Sequence, residues 1–266
     1  MSIVVVKPGQ KINLNKIDPG STGKFKNKSE AKTQLSKNIK RMAELQNILY
    51  AEGKHSLLIV LQAMDAGGKD GTIRSIMSGV NPQGVRVTSF KKPTEEELAH
   101  DFLWRIHQAA PARGMIGIFN RSHYEDVLVV RVHNLVPKKV WQARYEHINN
   151  FERLLADNGV TILKFYLHIS KDEQKERLQA RLDQPHKRWK FNPGDLQERE
   201  LWDDYMHAFE TAFEKCSPDY APWHIVPANK KWYRNLVISE KIVETLEKLN
   251  LAYPEPAAGL NDVVIV

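Results

Sequence analysis

An α/β fold, a parallel sheet covered by helices on both faces, is what this sequence predicts, and three observations carry it. From Ser56 onward, short apolar runs alternate with helical patterns, the pattern of strands buried beneath crossover helices. The stretch AMDAGGKDGT, residues 63–72, follows directly on the first of those runs and sets a glycine-containing turn between a strand and a helix. Polar clusters then recur where later runs end, at the edge where open parallel sheets bind ligands.

In chain order, the first 40 residues are polar and lysine-rich with scattered glycine, which predicts an extended arm leading into a helix over about 29–53. Five runs, 57–61, 85–90, 115–119, 160–167 and 223–226, are each too short and too apolar or β-branched for a free helix and are expected as buried strands. Thr94-Glu95-Glu96-Glu97 has the spacing of a helix-opening capping box. Trp141, Tyr145, Ile148, Phe151 and Leu155 keep helical spacing up to a stop at Asn158-Gly159, and a last helical stretch runs over 235–249.

A chain of 266 residues fits one large α/β domain or two small ones, and one domain with appendages is expected here. No uninterrupted apolar stretch approaches the roughly 18 residues that cross a bilayer, and the amino terminus lacks a secretory-type apolar segment, so a soluble, cytoplasmic protein is expected. The single cysteine, Cys216, excludes an internal disulfide and is expected to pack in the core. Lysine and arginine total 39 against 32 acidic residues, a net +7 that favours a polyanionic partner: nucleic acid, an anionic membrane, nucleotides or inorganic polyphosphate. The histidines show no metal-ligand spacing, and neither a G-x-S-x-G nucleophile nor a hydrolytic carboxylate pair is present.

Against the phosphate-loop pattern G-x-x-x-x-G-K-[ST], Ala63 replaces the first glycine and Asp70 replaces the magnesium-binding hydroxyl. A helix starting near Lys69 would still present backbone N–H groups to phosphate oxygens, so Ala66, Gly67, Gly68, Lys69, Asp70, Gly71 and Thr72 are the expected phosphate contacts. Lys69 would bring an ammonium to the phosphoryl group. Asp65 is repulsive beside phosphate unless a divalent cation lies between them, so it is assigned to metal, and Asp70 and Thr72 to capping or a secondary role. The alternative is a plain tight turn with Lys69 solvated and Asp65 or Asp70 as its cap.

The third run delivers Asn120, Arg121, Glu125 and Asp126 to the carboxyl edge. Arg121 can clamp a phosphate, and Glu125 can reach metal or the polar edge of an acceptor nucleotide; the alternative is that these two only pair with each other. In KERLQARLDQPHKRWKFNPGD, Arg177 and Arg181 share one helical face ahead of a basic segment with Lys187, Arg188 and Lys190, bracketed by Pro185 and Pro193. That arrangement reads as a lid closing on a phosphoryl group, against the alternative of a solvated amphipathic helix with Glu173, Glu176 and Asp183.

Together, DAGGKDGT, FNRSHYEDVL, QPHKRWKF and YAPWHIVPANKKWYRN resemble the polyphosphate kinase 2 family over roughly 29–249. The resemblance implies a thymidylate-kinase-like P-loop three-layer sandwich with a parallel five-stranded sheet and a helical lid. It implies inorganic polyphosphate as donor, AMP and ADP as acceptors with GMP and GDP as further ones, and Mg2+, or Mn2+, as cofactor. By matching motif positions, Asp65, Lys69, Arg121, Arg177 and Arg181 are the implied catalytic residues, Asp65 and Glu125 the metal ligands, and Asn120, Arg121, Glu125 and Asp126 the nucleotide contacts. Asn120 and Glu125 depart from the family's commoner Asp and Asn and resemble the subgroup that accepts both mono- and diphosphates. Lys91, Lys92 and Arg113 then join Lys187, Arg188 and Lys190 as a polyanion track. The division this implies is an arm and helix over 1–54, a P-loop kinase domain over 55–250 with a lid at about 171–194, and a tail over 251–266. Neither a nucleic-acid nor a membrane partner is expected, and a homo-oligomer, dimer or tetramer, is. An ATP-dependent nucleotide kinase and a nucleic-acid-binding P-loop protein are the competing readings.

Overall fold

The computed structural model describes residues 3–258 and residue 265. Its regular elements are β1 (Val4–Val5), α1 (Lys28–Glu52), β2 (Ser56–Gln62), α2 (Lys69–Ile76), β3 (Val85–Ser89), α3 (Glu95–Leu98), α4 (Trp104–Gln108), β4 (Ile116–Asn120), α5 (Val129–Val132), α6 (Lys138–Asp157), β5 (Val160–His168), α7 (Lys171–Asp183), α8 (Gly194–Glu200), α9 (Trp202–Lys215), β6 (Trp223–Pro227) and α10 (Lys231–Lys248).

One sheet runs in the order β1-β6-β5-β2-β4-β3. Every residue of β2 is buried, and the strand pairs in parallel with β4 on one side and β5 on the other. The chain thus leaves β2 for one half of the sheet and later returns to fill the other, which opens a crevice at the carboxyl end of β2. The five expected strands are all present and parallel. The sheet nevertheless has six strands, because the arm contributes β1, antiparallel to β6, with Val6 N–H donating to Trp223 O at 2.9 Å. Two residues give no alternation to read, so composition showed only a polar arm. β3 was expected to be buried but lies at the open edge, flanked by β4 alone, and Val87 is 47% exposed.

Helix α1 opens on an Asn27 cap, closes on Gly53 at φ 63°, and lies along α10. The capping box at Thr94 and Glu97 is formed. Cys216 is buried and free, and burial raises its thiol to about 12. Two differences from expectation bear on function. α10 begins at Lys231, not near 235, which places Lys231 and Arg234 in its first turn. α8 and α9 form a further layer whose buried stripe, Trp202, Tyr205, Met206, Phe209, Ala212 and Phe213, keeps helical spacing.

Beneath the carboxyl edge lies an ionic cluster with no solvent exposure. Lys164 Nζ on β5 donates to Glu152 Oε2 on α6 at 2.6 Å, to Tyr124 OH at 2.8 Å and to Cys216 O at 2.8 Å. Glu152 Oε1 accepts from Tyr124 OH at 2.8 Å and lies 3.1 Å from His123 Nε2. Burial opposes the Glu152 charge, but Lys164 and His123 outweigh it and hold the carboxyl below its ordinary range. His123 and Tyr124 belong to the 3-10 turn that carries Glu125, so the cluster anchors that turn from below. Removing one member of such a pair strands the other, so Lys164→Met should lower the unfolding free energy by about 3–5 kcal/mol with little change in m-value. Urea melts read this directly; an unchanged midpoint would mean that Glu152 carries no buried charge.

Candidate active site

At the end of β2 the chain turns through two left-handed residues, Ala66 at φ 59° and Gly68 at φ 100°. The consequence is a loop whose carbonyls all find donors inside the protein. Ala63 O accepts from Lys69 Nζ at 3.0 Å, Met64 O from Gly67 N–H at 3.0 Å, and Asp65 O from Gln174 Nε2 at 3.0 Å. Ala66 O and Gly67 O accept from Arg177 Nη1 at 3.0 and 2.9 Å, and Gly68 O from the Thr72 N–H and hydroxyl at 3.0 and 3.1 Å. Among the described residues the N–H groups of Asp65, Ala66 and Gly68 have no such acceptor. With the open first turn of α2 they form a nest for an anion. Gly67 explains how Ala63 can stand where a glycine is usual: a Cβ on Gly67 would lie 2.4 Å from the Ala63 Cβ, so the space the pattern reserves at its first position is made at the fifth, Gly67.

The structure brings most of the expected site residues to this loop. Arg121, at φ 63°, donates through Nη2 to Asp65 Oδ1 at 2.7 Å. Asn120 Nδ2 donates to Asp70 Oδ1 at 2.6 Å, so Asp70 ties α2 to β4 and does not cap its helix, whose N-cap Gly68 has no side-chain bond. Burial raises the Glu125 carboxyl, against the charges of Arg121 and Lys69. Desolvation lowers the Lys69 ammonium, with Arg121 adding to the effect.

Arg177 is placed differently from a lid arginine. Nε donates to Glu173 Oε1, Nη1 to Ala66 O and Gly67 O, and Nη2 to Ala228 O and Asn229 O, at 2.7–3.2 Å. A guanidinium has five N–H donors, and all five are engaged. Arg177 therefore shapes the loop, and the first half of the expected lid is a fixed wall held by Arg177 and Gln174. Arg181 retains free donors: its Nη1 meets Asp195 Oδ2 at 2.7 Å and Lys190 O at 3.1 Å, and its other nitrogens have no protein acceptor among the described residues.

Lys187, Arg188 and Lys190 lie in a 3-10 turn after α7, where Arg188 Nε caps Leu182 O at 2.8 Å and Lys190 Nζ stands 4.9 Å from the centre of the Trp189 ring. Lys91 and Lys92 are exposed just past β3, at the same edge of the sheet as the loop. Two expected contacts fall elsewhere. Asp126 is held by Arg144 of α6 at 2.9 Å, burial raises its carboxyl to about 6, and it does not line the cleft beside the loop. Arg113 precedes β4, next to Gly114, whose N–H donates to His55 O at 2.7 Å. That is the amino edge of the sheet, a strand length of roughly 17 Å from the loop.

Residues not singled out from the sequence complete the site. The buried Arg234 donates to Asn235 Oδ1 at 2.9 Å and to Gly67 O at 3.4 Å, and forms no ion pair with an acid among the described residues. Burial, then the nearby Arg177 charge, lowers its guanidinium to about 9. Lys231 is lowered likewise, by burial and then by Arg177, against a raising contribution from Glu173. The motif YAPWHIVPANKKWYRN contained both, but nothing in their spacing separates a buried arginine from a solvated one. A cleft of about 210 Å³ beside the loop is lined by Asp65, Arg121 and Glu125, by Asp195 and Glu198 of α8, and by Leu128, Val129, Tyr205 and Phe209.

No three His, Cys, Asp or Glu side chains among the described residues form a self-sufficient metal cage. Asp65 and Glu125, both facing Arg121 and Lys69, instead offer what a small hard cation such as Mg2+ takes beside phosphates: one or two carboxylates, with the remaining positions left to phosphate oxygens and water.

A family model described as polyphosphate kinase 2 matches residues 25–253. A protein of Meiothermus ruber named AMP/ADP-polyphosphate phosphotransferase is 58% identical over 98% of both chains. An ADP-polyphosphate phosphotransferase of Rhodopseudomonas palustris is 46% identical over 94% of this chain and 91% of its own. The crystal structure of polyphosphate kinase 2 from Arthrobacter aurescens superposes with a TM-score of 0.92 at 48% identity, covering 94% of this chain and 90% of that one.

The anion nest depends on the absence of a side chain at Gly68, where a Cβ would stand 2.2 Å from Arg234 Nη1 in addition to the strain of φ 100°. Gly68→Ala should therefore weaken pyrophosphate binding, followed by calorimetry, at least about tenfold without loss of helix signal. Gly71→Ala, whose Cβ meets nothing closer than 3.8 Å, should keep most of the affinity, and equal losses in both would contradict this account of the loop.

Proposed function

The chain belongs to the polyphosphate kinase 2 family, and from that premise we propose that it transfers the terminal phosphoryl group of inorganic polyphosphate to AMP and ADP, and likewise to GMP and GDP, with Mg2+ or Mn2+. The observation that carries the proposal is the separation of charge across the loop. On the α7 and α10 side, Lys231 feels the charges of Arg177, Lys187 and Arg234, and Arg234 that of Arg177, with no acid paired to Arg234 among the described residues. On the α8 and α9 side the cleft is lined by acidic and apolar side chains. A donor charged along its whole length suits the first, and a nucleoside suits the second. An ATP-dependent kinase would share the loop but has no need of so extended a cationic wall.

In this reading the amides of the loop hold the phosphoryl group undergoing transfer; an acceptor phosphate oxygen attacks its phosphorus from the Arg121 and Glu125 side as the bond to the donor's bridging oxygen breaks, and the polyphosphate leaves one phosphate shorter. Lys69, Arg121 and Arg181 supply positive charge where it shifts in the transition state. Asp65 and Glu125 are the residues that would hold Mg2+, which would supply charge neutralisation for the reacting phosphates. Lys187, Arg188 and Lys190, with Lys91 and Lys92 at the same edge, extend the cationic wall along the donor.

Acceptance of both AMP and ADP rests on Asn120 and Glu125. Asn120 is the neutral partner of Asp70; an aspartate in its place would set two carboxylates at the 2.6 Å spacing of the present hydrogen bond. The neutral amide leaves the end of β4 less repulsive to a nucleotide seated one phosphate deeper, and Glu125 would be available to hold the metal with either acceptor. With polyphosphate and AMP as the only substrates, chromatography should show ADP first and ATP later, and Asn120→Asp with Glu125→Asn should alter the two steps unequally. ADP alone from the unmodified protein would contradict dual acceptance, and no product at all would contradict polyphosphate as donor.

A further inference from the structure

One of the side chains that hold the loop carbonyls is itself held from α8. Gln174, fully buried on α7, donates from Nε2 to Asp65 O at 3.0 Å. Its Oε1 accepts from Arg199 Nη1 at 3.0 Å, and the same nitrogen donates to Lys171 O at 2.5 Å. Arg199 thus reaches from the last turn of α8 to the first turn of α7 and has no hydrogen bond to the loop itself. A guanidinium only donates, whereas a carboxamide has one accepting end and one donating end. With Arg199 on one side, the accepting end of Gln174 is committed to α8 and the donating end is left for Asp65 O. Without Arg199 either end is free to turn toward the loop, and an amide oxygen there would face a carbonyl oxygen.

The direction of the Asp65 carbonyl is passed on by its peptide plane. That peptide is trans, so its carbonyl and the Ala66 N–H point in opposite directions. Holding the carbonyl against α7 turns the Ala66 N–H away from α7, and this is one of the three loop amides without an acceptor among the described residues. The other two are set differently. Gly68 N–H shares its peptide with Gly67 O, held by Arg177 and Arg234, and Asp65 N–H shares its peptide with Met64 O, held by Gly67 N–H. Of the three, only the Ala66 amide depends on a neutral side chain with two interchangeable ends.

We propose that Arg199 is a positioning residue for phosphoryl transfer: acting through Gln174 and the Asp65 carbonyl, it aims the Ala66 amide at the phosphoryl group. This role rests on the loop holding the reacting phosphate, as given under Proposed function. Helix α8 then serves the reaction twice, through Asp195 on Arg181 and through Arg199 on the loop.

The test is a double-mutant cycle over Arg199→Met and Gln174→Met, read as kcat and KM for AMP with polyphosphate as donor and, independently, as pyrophosphate affinity by calorimetry. Each single substitution should lower kcat and pyrophosphate affinity about tenfold, the scale of one hydrogen bond to a charged group. KM for AMP should stay within about threefold, because a group acting on the transferred phosphate touches no part of the acceptor. The double variant should be no worse than Gln174→Met, whereas independent roles would multiply the two losses to about a hundredfold. Unchanged kcat and pyrophosphate affinity in Arg199→Met, multiplied losses in the double variant, or a loss confined to KM for AMP would each overturn the proposal. If Arg199→Met does not fold, Gln174→Glu decides: it keeps the shape and offers Arg199 a carboxylate but leaves Asp65 O without a donor. Its melting temperature should hold or rise while pyrophosphate affinity falls as in Gln174→Met, and undiminished affinity would overturn the proposal. If polyphosphate yields no product with AMP, the donor reading has failed, and the pyrophosphate cycle still decides the role of Arg199.

Discussion

The site depends on one constraint: between Ala63 and Gly68 every backbone carbonyl must find its donor inside the protein, so that amides are left to face outward. A carbonyl oxygen turned into the cleft would repel any phosphate brought to the loop. Three helices and the loop itself keep the carbonyls in. Gln174 and Arg177 reach across from α7, Arg234 from α10, Thr72 and Lys69 from α2, and the loop closes on itself through Gly67. The left-handed conformations of Ala66 and Gly68 are the local strain that this surrounding structure maintains.

The rest of the molecule can be understood as support for that loop and for the charges around it. β2 is buried along its length between β4 and β5, which fixes where the loop begins. The Lys164–Glu152 cluster anchors the turn that carries Glu125, so the two carboxylates facing the loop, Asp65 and Glu125, are set by different parts of the sheet. Arg234 is the costly element. A guanidinium that is buried, lowered to about 9 and without an acid opposite is poorly solvated in the free protein. An anion bound in the nest would relieve that state and so make the cation a source of binding energy.

Much of this was legible in the sequence, and for identifiable reasons. Strands with strong apolar signals, a capping box and the glycine turn are local features, and all appear where local rules place them. β1 escaped because two residues carry no period, and the exposure of β3 because edge position is a property of the sheet, not of the run. Side-chain roles were read less completely. Arg177 and Arg181 look equivalent on a helical face, yet one has all five donors bonded within the protein and the other does not, which only the placement of Ala228, Asn229 and Asp195 decides. Arg113 lies just after Pro111, at the wrong end of its strand, and Arg234, Asp195 and Glu198 become site residues only through packing between distant segments.

The measurement that bears most directly on the central claim is equilibrium binding of polyphosphate, without nucleotide or metal, to the unmodified protein and to Arg234→Met over a range of sodium chloride concentrations, alongside thermal melts of both. An uncompensated cation held for an anion predicts tight binding that weakens with salt in the unmodified protein, much weaker binding in Arg234→Met, and a melting temperature in Arg234→Met that is unchanged or higher. Undiminished binding in Arg234→Met, or loss of binding accompanied by a fall in melting temperature, would contradict it, since the arginine would then be a structural prop and not part of the phosphate site.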